Sequence, residues 1–387
     1  MIVDVERVAH GGSCVGHTPD GRVVFVRHTL PGEQVRVVVT DEHASFLRAD
    51  AVEVLRASPA RVARPCPWAG PGRCGGCDWQ HVDLGEQRRL KANVVAEQLH
   101  RLAGIDRDVV VEPVPGDDSG LGWRTRMRLA VDARGRAGLR RHRSHELEPI
   151  GDCLIADDRA DVPGLVARHW PPDVEVTVDV TSTGDRAVAV GTHRDTITEQ
   201  AAGRRWEVPV GGFWQVHVGA AELLARTVVS MAKVQPEDEC LDLYAGVGLF
   251  AGALAPFARR VTAVESEPRA VAAARRNVAD LGNVAVVRGR VDSWLQRRDV
   301  RADVVVLDPP RRGAGRAVAT RLVELAPRRI VYVACDPAAL ARDLATFADG
   351  GYALEDLRAF DLFPMTAHVE CVAALTSTAP PLAPPPP

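Results

Sequence analysis

The chain is predicted to be an α/β protein, with a C-terminal Rossmann-like domain, an N-terminal OB-like β-barrel and a central α+β segment. Three observations carry that assignment. From residue 205 onward, short apolar runs alternate with Ala-rich helical ones, the pattern of a parallel, doubly wound sheet. Residues 1–57 hold β-branched runs punctuated by Gly11-Gly12, Pro19-Asp20-Gly21 and Leu30-Pro31-Gly32, the spacing of a small barrel. Between these regions lie Cys66, Cys74, Cys77 and Cys153, too closely grouped at the first three positions for accident.

Bulk properties narrow the class. The 387 residues suffice for two or three domains, and 46% hydrophobic with 26% charged residues is ordinary for a globular protein. No apolar stretch approaches the length of a membrane span and the start is no signal peptide, so a cytoplasmic protein without a membrane partner is expected, and a monomer. A net charge of −3 gives no global sign of nucleic-acid binding. The local distribution does: between residues 121 and 145 eight arginines face one aspartate, Asp132. Arginine forks suit phosphate oxygens and stack on bases, so an RNA-binding surface is expected there.

In chain order, residues 1–57 form the barrel. Residues 58–204 form the central domain, with the cysteines and Arg-rich strands. Residues 205–376 form the doubly wound domain, with strands expected at 239–244, 260–265, 284–288, 303–308 and 329–334. Runs 352–360 and 367–375 are expected as an antiparallel edge pair, and 377–387, rich in proline, as a disordered tail.

The chemistry-bearing residues sit at strand ends. Asp242-Leu243-Tyr244-Ala245-Gly246-Val247-Gly248 is a strand running into a Gly-x-Gly turn, which lets backbone approach a nucleotide-type cofactor. The next strand ends in Glu265, a carboxylate placed for ribose hydroxyls. Alone, this turn leaves NAD and S-adenosylmethionine (SAM) open. Asp242, Tyr244 and the later Asp308-Pro309-Pro310, a rigid turn beside the methyl donor, favour SAM and hence a class I methyltransferase domain.

Cys335 ends another strand and precedes a helix opened by Asp336-Pro337, where N–H groups stabilise a thiolate. It is read as a nucleophile that adds to C6 of a uracil ring, giving C5 the electron density to accept a methyl group. Glu370, in an otherwise apolar run, is read as the base that removes the C5 proton. Cys74-Gly75-Gly76-Cys77, with Cys66 and Cys153, offers four thiolates for zinc or an iron–sulfur cluster.

This set of residues resembles the bacterial RNA uracil-C5 methyltransferases that carry a TRAM domain and a 4Fe–4S cluster. The resemblance spans the barrel, the four cysteines, Gly122-Trp123-Arg124-Thr125-Arg126, Phe213-Trp214-Gln215-Val216-His217, the Gly turn, Cys335 and Glu370. It implies that Cys66, Cys74, Cys77 and Cys153 bind the cluster and that Gln215, Tyr244, Glu265 and Asp308 contact SAM. It also implies that Cys335 is the nucleophile and Glu370 the base. The implied substrate is RNA, ribosomal (23S) in preference to transfer RNA. The chain departs from the family pattern in a seven-residue first cysteine spacer, and in His217, Leu249 and Asp336.

Rival classes differ in sequence. A cytosine-C5 enzyme pairs a second cysteine with a Pro-Cys element, an amino-group enzyme has an aromatic after its Pro-Pro, and radical-SAM chemistry needs a Cys-x3-Cys-x2-Cys run. A non-catalytic RNA-binding protein needs neither Cys335 nor Glu370, and an NAD oxidoreductase predicts binding of NAD.

Overall fold

A computed structural model describes residues 1–191, 194–297 and 300–378. Most of the proline-rich tail expected at 377–387 lies outside the described residues.

The chain opens with β1 (Ile2–Val8), β2 (Cys14–His17), β3 (Val23–Arg27), β4 (Gln34–Glu42) and β5 (Phe46–Arg56), closed into a barrel in the order β1-β2-β3-β5-β4. Alternating residues, Val3, Val5, Val24, Val26, Val35 and Val37, fill its interior, as a period of two requires. Glu33, fully buried, fastens the barrel to the segment after β5: its carboxylate accepts from Arg61 Nε (2.6 Å), Arg61 Nη2 (2.7 Å), Leu30 N (2.9 Å) and Ser58 N (3.1 Å).

Helix α1 (Leu84–Ala103) is capped by Asp83, whose side chain accepts from Gly85 and Glu86, and ends at Gly104 with φ 63°. There follow β6 (Val111–Pro113), β7 (Arg126–Val131), β8 (Ala137–Arg140), β9 (Leu147–Glu148), α2 (Val162–Val166), β10 (Glu175–Val180) and β11 (Arg186–Val190). Strands β7 to β11, without β6, make a five-stranded sheet ordered β11-β10-β7-β8-β9, and β12 (Thr196–Ala201) pairs with β13 (Arg204–Pro209) as a separate hairpin. Arg126, from the Arg-rich stretch, is buried and pairs with Asp179 (3.2 Å) and Glu199 (3.1 Å). Part of that positive cluster is therefore structural, and Arg134, Arg140 and Arg143 are among the residues left exposed.

The remaining elements are α3 (Ala220–Ala232), β14 (Glu239–Leu243), α4 (Leu249–Leu254), β15 (Arg260–Glu265), α5 (Pro268–Asn277), β16 (Val284–Arg288), α6 (Val291–Leu295), β17 (Val304–Leu307), α7 (Arg316–Leu325), β18 (Arg329–Ala334), α8 (Pro337–Asp349), β19 (Tyr352–Asp361) and β20 (Glu370–Ser377). They build a sheet ordered β16-β15-β14-β17-β18-β20-β19-β6, parallel except for β20. Successive strand residues serve opposite faces. Val304, Val306, Val331 and Val333 pack with α3 and α4, whereas Val305, Leu307, Ile330 and Tyr332 pack with α1, α7 and α8.

The structure differs from expectation at the sheet's far side. The final strand pair is not the edge: β20 inserts between β18 and β19, and β6, from well before residue 205, adds outside β19. A three-residue strand with little periodicity carries no signal that long-range pairing will recruit it. A buried ion pair from Lys91 of α1 to Asp361 at the end of β19 ties these segments together, and Lys91 Nζ also donates to Phe363 O at 3.0 Å.

Candidate functional site

Sheet register assembles the site. β14, β15, β17 and β18 run parallel, so their C-terminal ends open on one crevice, the usual ligand position in such sheets. β20 runs the other way and starts where β18 stops. The pairing Ala334↔Cys371 sets the next residues, Cys335 and Glu370, opposite one another at that rim. Two residues 35 positions apart in sequence thus face each other because of one antiparallel pairing.

The turn after β14 is held by side chains from its neighbours. Tyr244 takes φ 64° and Gly246 φ 54°, left-handed values that only the glycine adopts without strain. Glu265 at the end of β15 accepts from Gly246 N (2.9 Å), Ser266 N (2.6 Å) and Glu267 N (2.7 Å). Ser266 Oγ also donates, at 3.3 Å, so three donors share Oε1 and one uses Oε2; Glu265 shapes the turn and keeps one acceptor position on Oε2. Asp242, fully buried, accepts from Ala251 N at 2.8 Å through one oxygen while the other is unpartnered. Burial pushes its carboxyl up to about 7, against the pull of the Ala251 N–H. Gln215 is buried in the loop after β13, next to Trp214, which packs in the same core as Ala245 and Val247 of the turn.

The end of the crevice at β17, β18 and β20 is crowded with acids. Burial pushes the Cys335 thiol up to about 12, reinforced by Glu370 and Asp308 and opposed by Arg311. Burial also raises Glu370 well above a normal carboxyl, with Asp308 adding to the effect and Arg311 opposing it, and raises Asp308 to about 7. Cys335, Glu370, Asp308 and Arg311 therefore sense one another across the rim.

Arg311 and His368 were not singled out from the sequence as site residues. Arg311 Nη2 lies 3.4 Å from His368 Nε2, and burial lowers the His368 imidazole to about 4. The position of Arg311 directly after Asp308-Pro309-Pro310 was the available signal. Its loop is fixed from behind: Tyr332 Oη donates to Asp343 (2.6 Å), which also accepts from Ala314 N (2.8 Å) and Gly315 N (3.2 Å).

The four cysteines meet elsewhere. Cys66, Cys74, Cys77 and Cys153 are free thiols lining one small cavity with Trp68, Gln80 and Arg124. The seven-residue spacer folds back on itself, with Cys74 N donating to Trp68 O at 3.0 Å, so its length does not keep Cys66 away. Burial pushes Cys77 up to about 12 and Cys153 to about 11. The Gln80 side chain is buried in this cavity and faces the Cys77 thiol, whose rise it opposes. Among the described residues no group of three or more His, Cys, Asp or Glu could hold a metal ion, so the thiols do not form a ready site for a single ion.

A doubly wound sheet with a Gly turn at its crevice and an attached five-stranded barrel defines the class as an α/β protein with a nucleotide-cofactor type of fold. Comparison with known proteins narrows this. Residues 1–52 match the TRAM domain family, and residues 227–347 match the family described as Conserved hypothetical protein 95. An uncharacterized RNA methyltransferase of Streptomyces coelicolor is 50% identical, the alignment covering 97% of this chain and 93% of that protein. The 23S rRNA (uracil(1939)-C(5))-methyltransferase RlmD of Chromohalobacter salexigens is 33% identical over 98% of this chain and 90% of its own length. The chain belongs to this family of RNA methyltransferases. Among solved structures, the Pyrococcus abyssi tRNA (uracil-54, C5)-methyltransferase in complex with S-adenosyl-L-homocysteine superposes with a TM-score of 0.73, covering 97% of this chain and 99% of that one. At 24% identity that likeness speaks for the fold.

Proposed function

We propose that this protein uses SAM to convert a uridine in RNA to 5-methyluridine, with 23S ribosomal RNA favoured over transfer RNA. The observation that carries the reading is Cys335 standing opposite Glu370 across the β18–β20 pairing, at the rim of a cofactor crevice. An amino-group or ribose methyltransferase has no use for a thiol there. The RlmD relative supports the same chemistry, and the ribosomal preference rests on it. The barrel's Phe25, Phe46 and Arg48, with Arg48 5.4 Å from the Phe46 ring, form a surface suited to bases and phosphates.

When bound, SAM supplies an electrophilic methyl group on a positively charged sulfur. Gln215, Tyr244, Glu265 and Asp308 would hold it. The target base has to leave its stack to reach the rim. Cys335, once deprotonated, adds to C6, and the electron pair displaced onto C5 takes the methyl group. Glu370 then removes the C5 proton, and the pair left from that C5–H bond forms the C5–C6 double bond as the C6–S bond breaks and its electrons leave on the Cys335 thiolate. Arg311, the cation among these acids, favours both ionised forms.

Cys66, Cys74, Cys77 and Cys153 are proposed to hold a 4Fe–4S cluster. The support is that all four are free thiols lining one small cavity, a donor set suited to such a cluster. There the cluster would clamp the 66–77 loop to the segment bearing Cys153.

The test is mass spectrometry of nucleosides from ribosomal and transfer RNA incubated with the protein and methyl-labelled SAM. Labelled 5-methyluridine from 23S rRNA is expected. The label appearing only in transfer RNA would move the substrate, and the label in another nucleoside, or RNA binding without methylation, would overturn the reading.

A further inference from the structure

The barrel's first loop, residues 9–13, reaches the rim of the crevice. His10 Nε2 lies 3.0 Å from Asp336 Oδ2, 326 positions away in sequence, and Asp336 immediately follows Cys335. The other Asp336 oxygen accepts from Ala339 N at 2.8 Å, capping α8. One carboxylate therefore joins the barrel, the nucleophile's neighbour and the start of the next helix. The same loop also touches the segment leading to Glu370. Gly12, at φ 85°, packs so closely there that an added Cβ would stand 2.4 Å from Ala367 Cβ. Trp79 Nε1 donates to Gly12 O at 3.0 Å, and Trp79 N donates to Met365 O at 2.9 Å.

We propose that His10 is a positioning residue for the reaction: from the barrel it holds Asp336, and through Asp336 the orientation and charge surroundings of Cys335. This rests on Cys335 being the nucleophile. Besides Asp336, the groups facing His10 are Arg342 from α8, Glu97 from α1 and His368 from the loop before β20. Glu97 is itself paired with Arg7 of β1 at 2.9 Å. The Asp336 carboxylate raises His10 above its ordinary value, and His10 helps lower Asp336. Below the raised His10 value the imidazolium offsets the carboxylate beside the thiol. Above it the compensation fades, and removing the ring leaves an uncompensated carboxylate that disfavours the thiolate.

The experiment uses the full chain, wild type and the variants His10→Ala and His10→Gln. Two rates are followed across pH: iodoacetamide alkylation of Cys335, read by mass spectrometry of its peptide, and kcat for RNA methylation. Because both partners are partly exposed, His10→Ala is expected to slow alkylation and lower kcat about fivefold near pH 6, with the difference vanishing near pH 9. His10→Gln, which keeps a donor without a titrating charge, should recover part of the loss and abolish its pH dependence, with SAM affinity unchanged in both. Equal alkylation rates at every pH, or a uniform loss that Gln does not relieve, would overturn the proposal. The two readings fail differently. A wild type that forms no 5-methyluridine while its Cys335 still responds to His10 sinks the reaction and leaves the bridge. A wild type that methylates uridine while both variants match it sinks the bridge alone.

Discussion

The crevice and the thiol cavity both gather buried groups whose ionisation burial opposes, Cys335 and Glu370 in one and Cys77 and Cys153 in the other, yet they are built by opposite means. In the crevice Glu265, Asp308, Cys335 and Glu370 stand at strand ends, and hydrogen-bonded register decides their neighbours. A one-residue slip of β20 would turn Glu370 to the opposite face of the sheet and unpack the core, so the arrangement is as firm as the sheet itself. In the cavity Cys66, Cys74, Cys77 and Cys153 come from loops joined by a few backbone hydrogen bonds. A site made of strands is complete before a ligand arrives. One made of loops draws order from what it binds.

That contrast is broken first at Cys335, the proposed nucleophile. Cys335→Ala should lower methylation by about a thousandfold or more, because a covalent step is lost outright, while SAM binding by calorimetry and the melting temperature stay near wild type. A loss of both rate and SAM affinity would make Cys335 a structural residue. The next largest effect falls on the joint between α1 and β19. Lys91→Met leaves Asp361 buried without its cation and should destabilise the fold by about 3–5 kcal/mol, measured by denaturant unfolding, and pairing it with Asp361→Leu should restore most of the loss. A Lys91→Met variant as stable as wild type would show that the pair carries little, and a double variant as unstable as the single would show that the lone buried Asp361 is not the cost.

The cavity responds differently. Cys153→Ser should reduce bound iron in anaerobically prepared protein to a small fraction of wild type, checked by metal analysis and visible absorbance. Because burial raises the Cys74, Cys77 and Cys153 thiols, binding has to release protons, so iron retention should fall as pH falls. Unchanged iron in Cys153→Ser would remove that residue from the ligand set, and retention of zinc alone would replace the cluster with an ion.

The smallest effect concerns Asp242. Its carboxyl is raised to about 7 by burial, so its contribution favours folding while it is protonated and is lost progressively from about pH 4 to pH 7. Asp242→Asn should therefore raise stability by about 1–2 kcal/mol at pH 8 and leave it unchanged near pH 4, measured as the shift in the unfolding midpoint. A destabilised variant at pH 8 would mean that the Ala251 N–H bond outweighs the burial of charge. For the reaction, the raised Glu370 predicts an acidic limb of kcat displaced upward from the usual carboxylate range, because the base has to ionise before it takes a proton.

Much of this was legible before the structure. The five parallel strands and the motifs at their ends follow from apolar runs bounded by Gly and Pro, where local pattern and final environment agree. The four cysteines were visible as a group, and their convergence is a fact of loop folding that spacing did not contain. What stayed hidden depends on distant pairing. β6 is too short to carry a period, Lys91 reads as an ordinary helix-surface lysine although it is one of only two in the chain, and His10 looks like a residue in a glycine turn. Arg126 shows the reverse error, since an arginine in a basic stretch became half of a buried network.

The covalent mechanism is put at greatest risk by RNA carrying 5-fluorouridine, whose fluorine Glu370 has no means to remove as it removes a proton. Incubation with SAM, then protease and nuclease digestion and mass spectrometry, should give a peptide containing Cys335 joined to a methylated fluorouridine. Absence of any protein–RNA adduct from a preparation that methylates ordinary uridine, or an adduct on another cysteine, would contradict the roles given to Cys335 and Glu370.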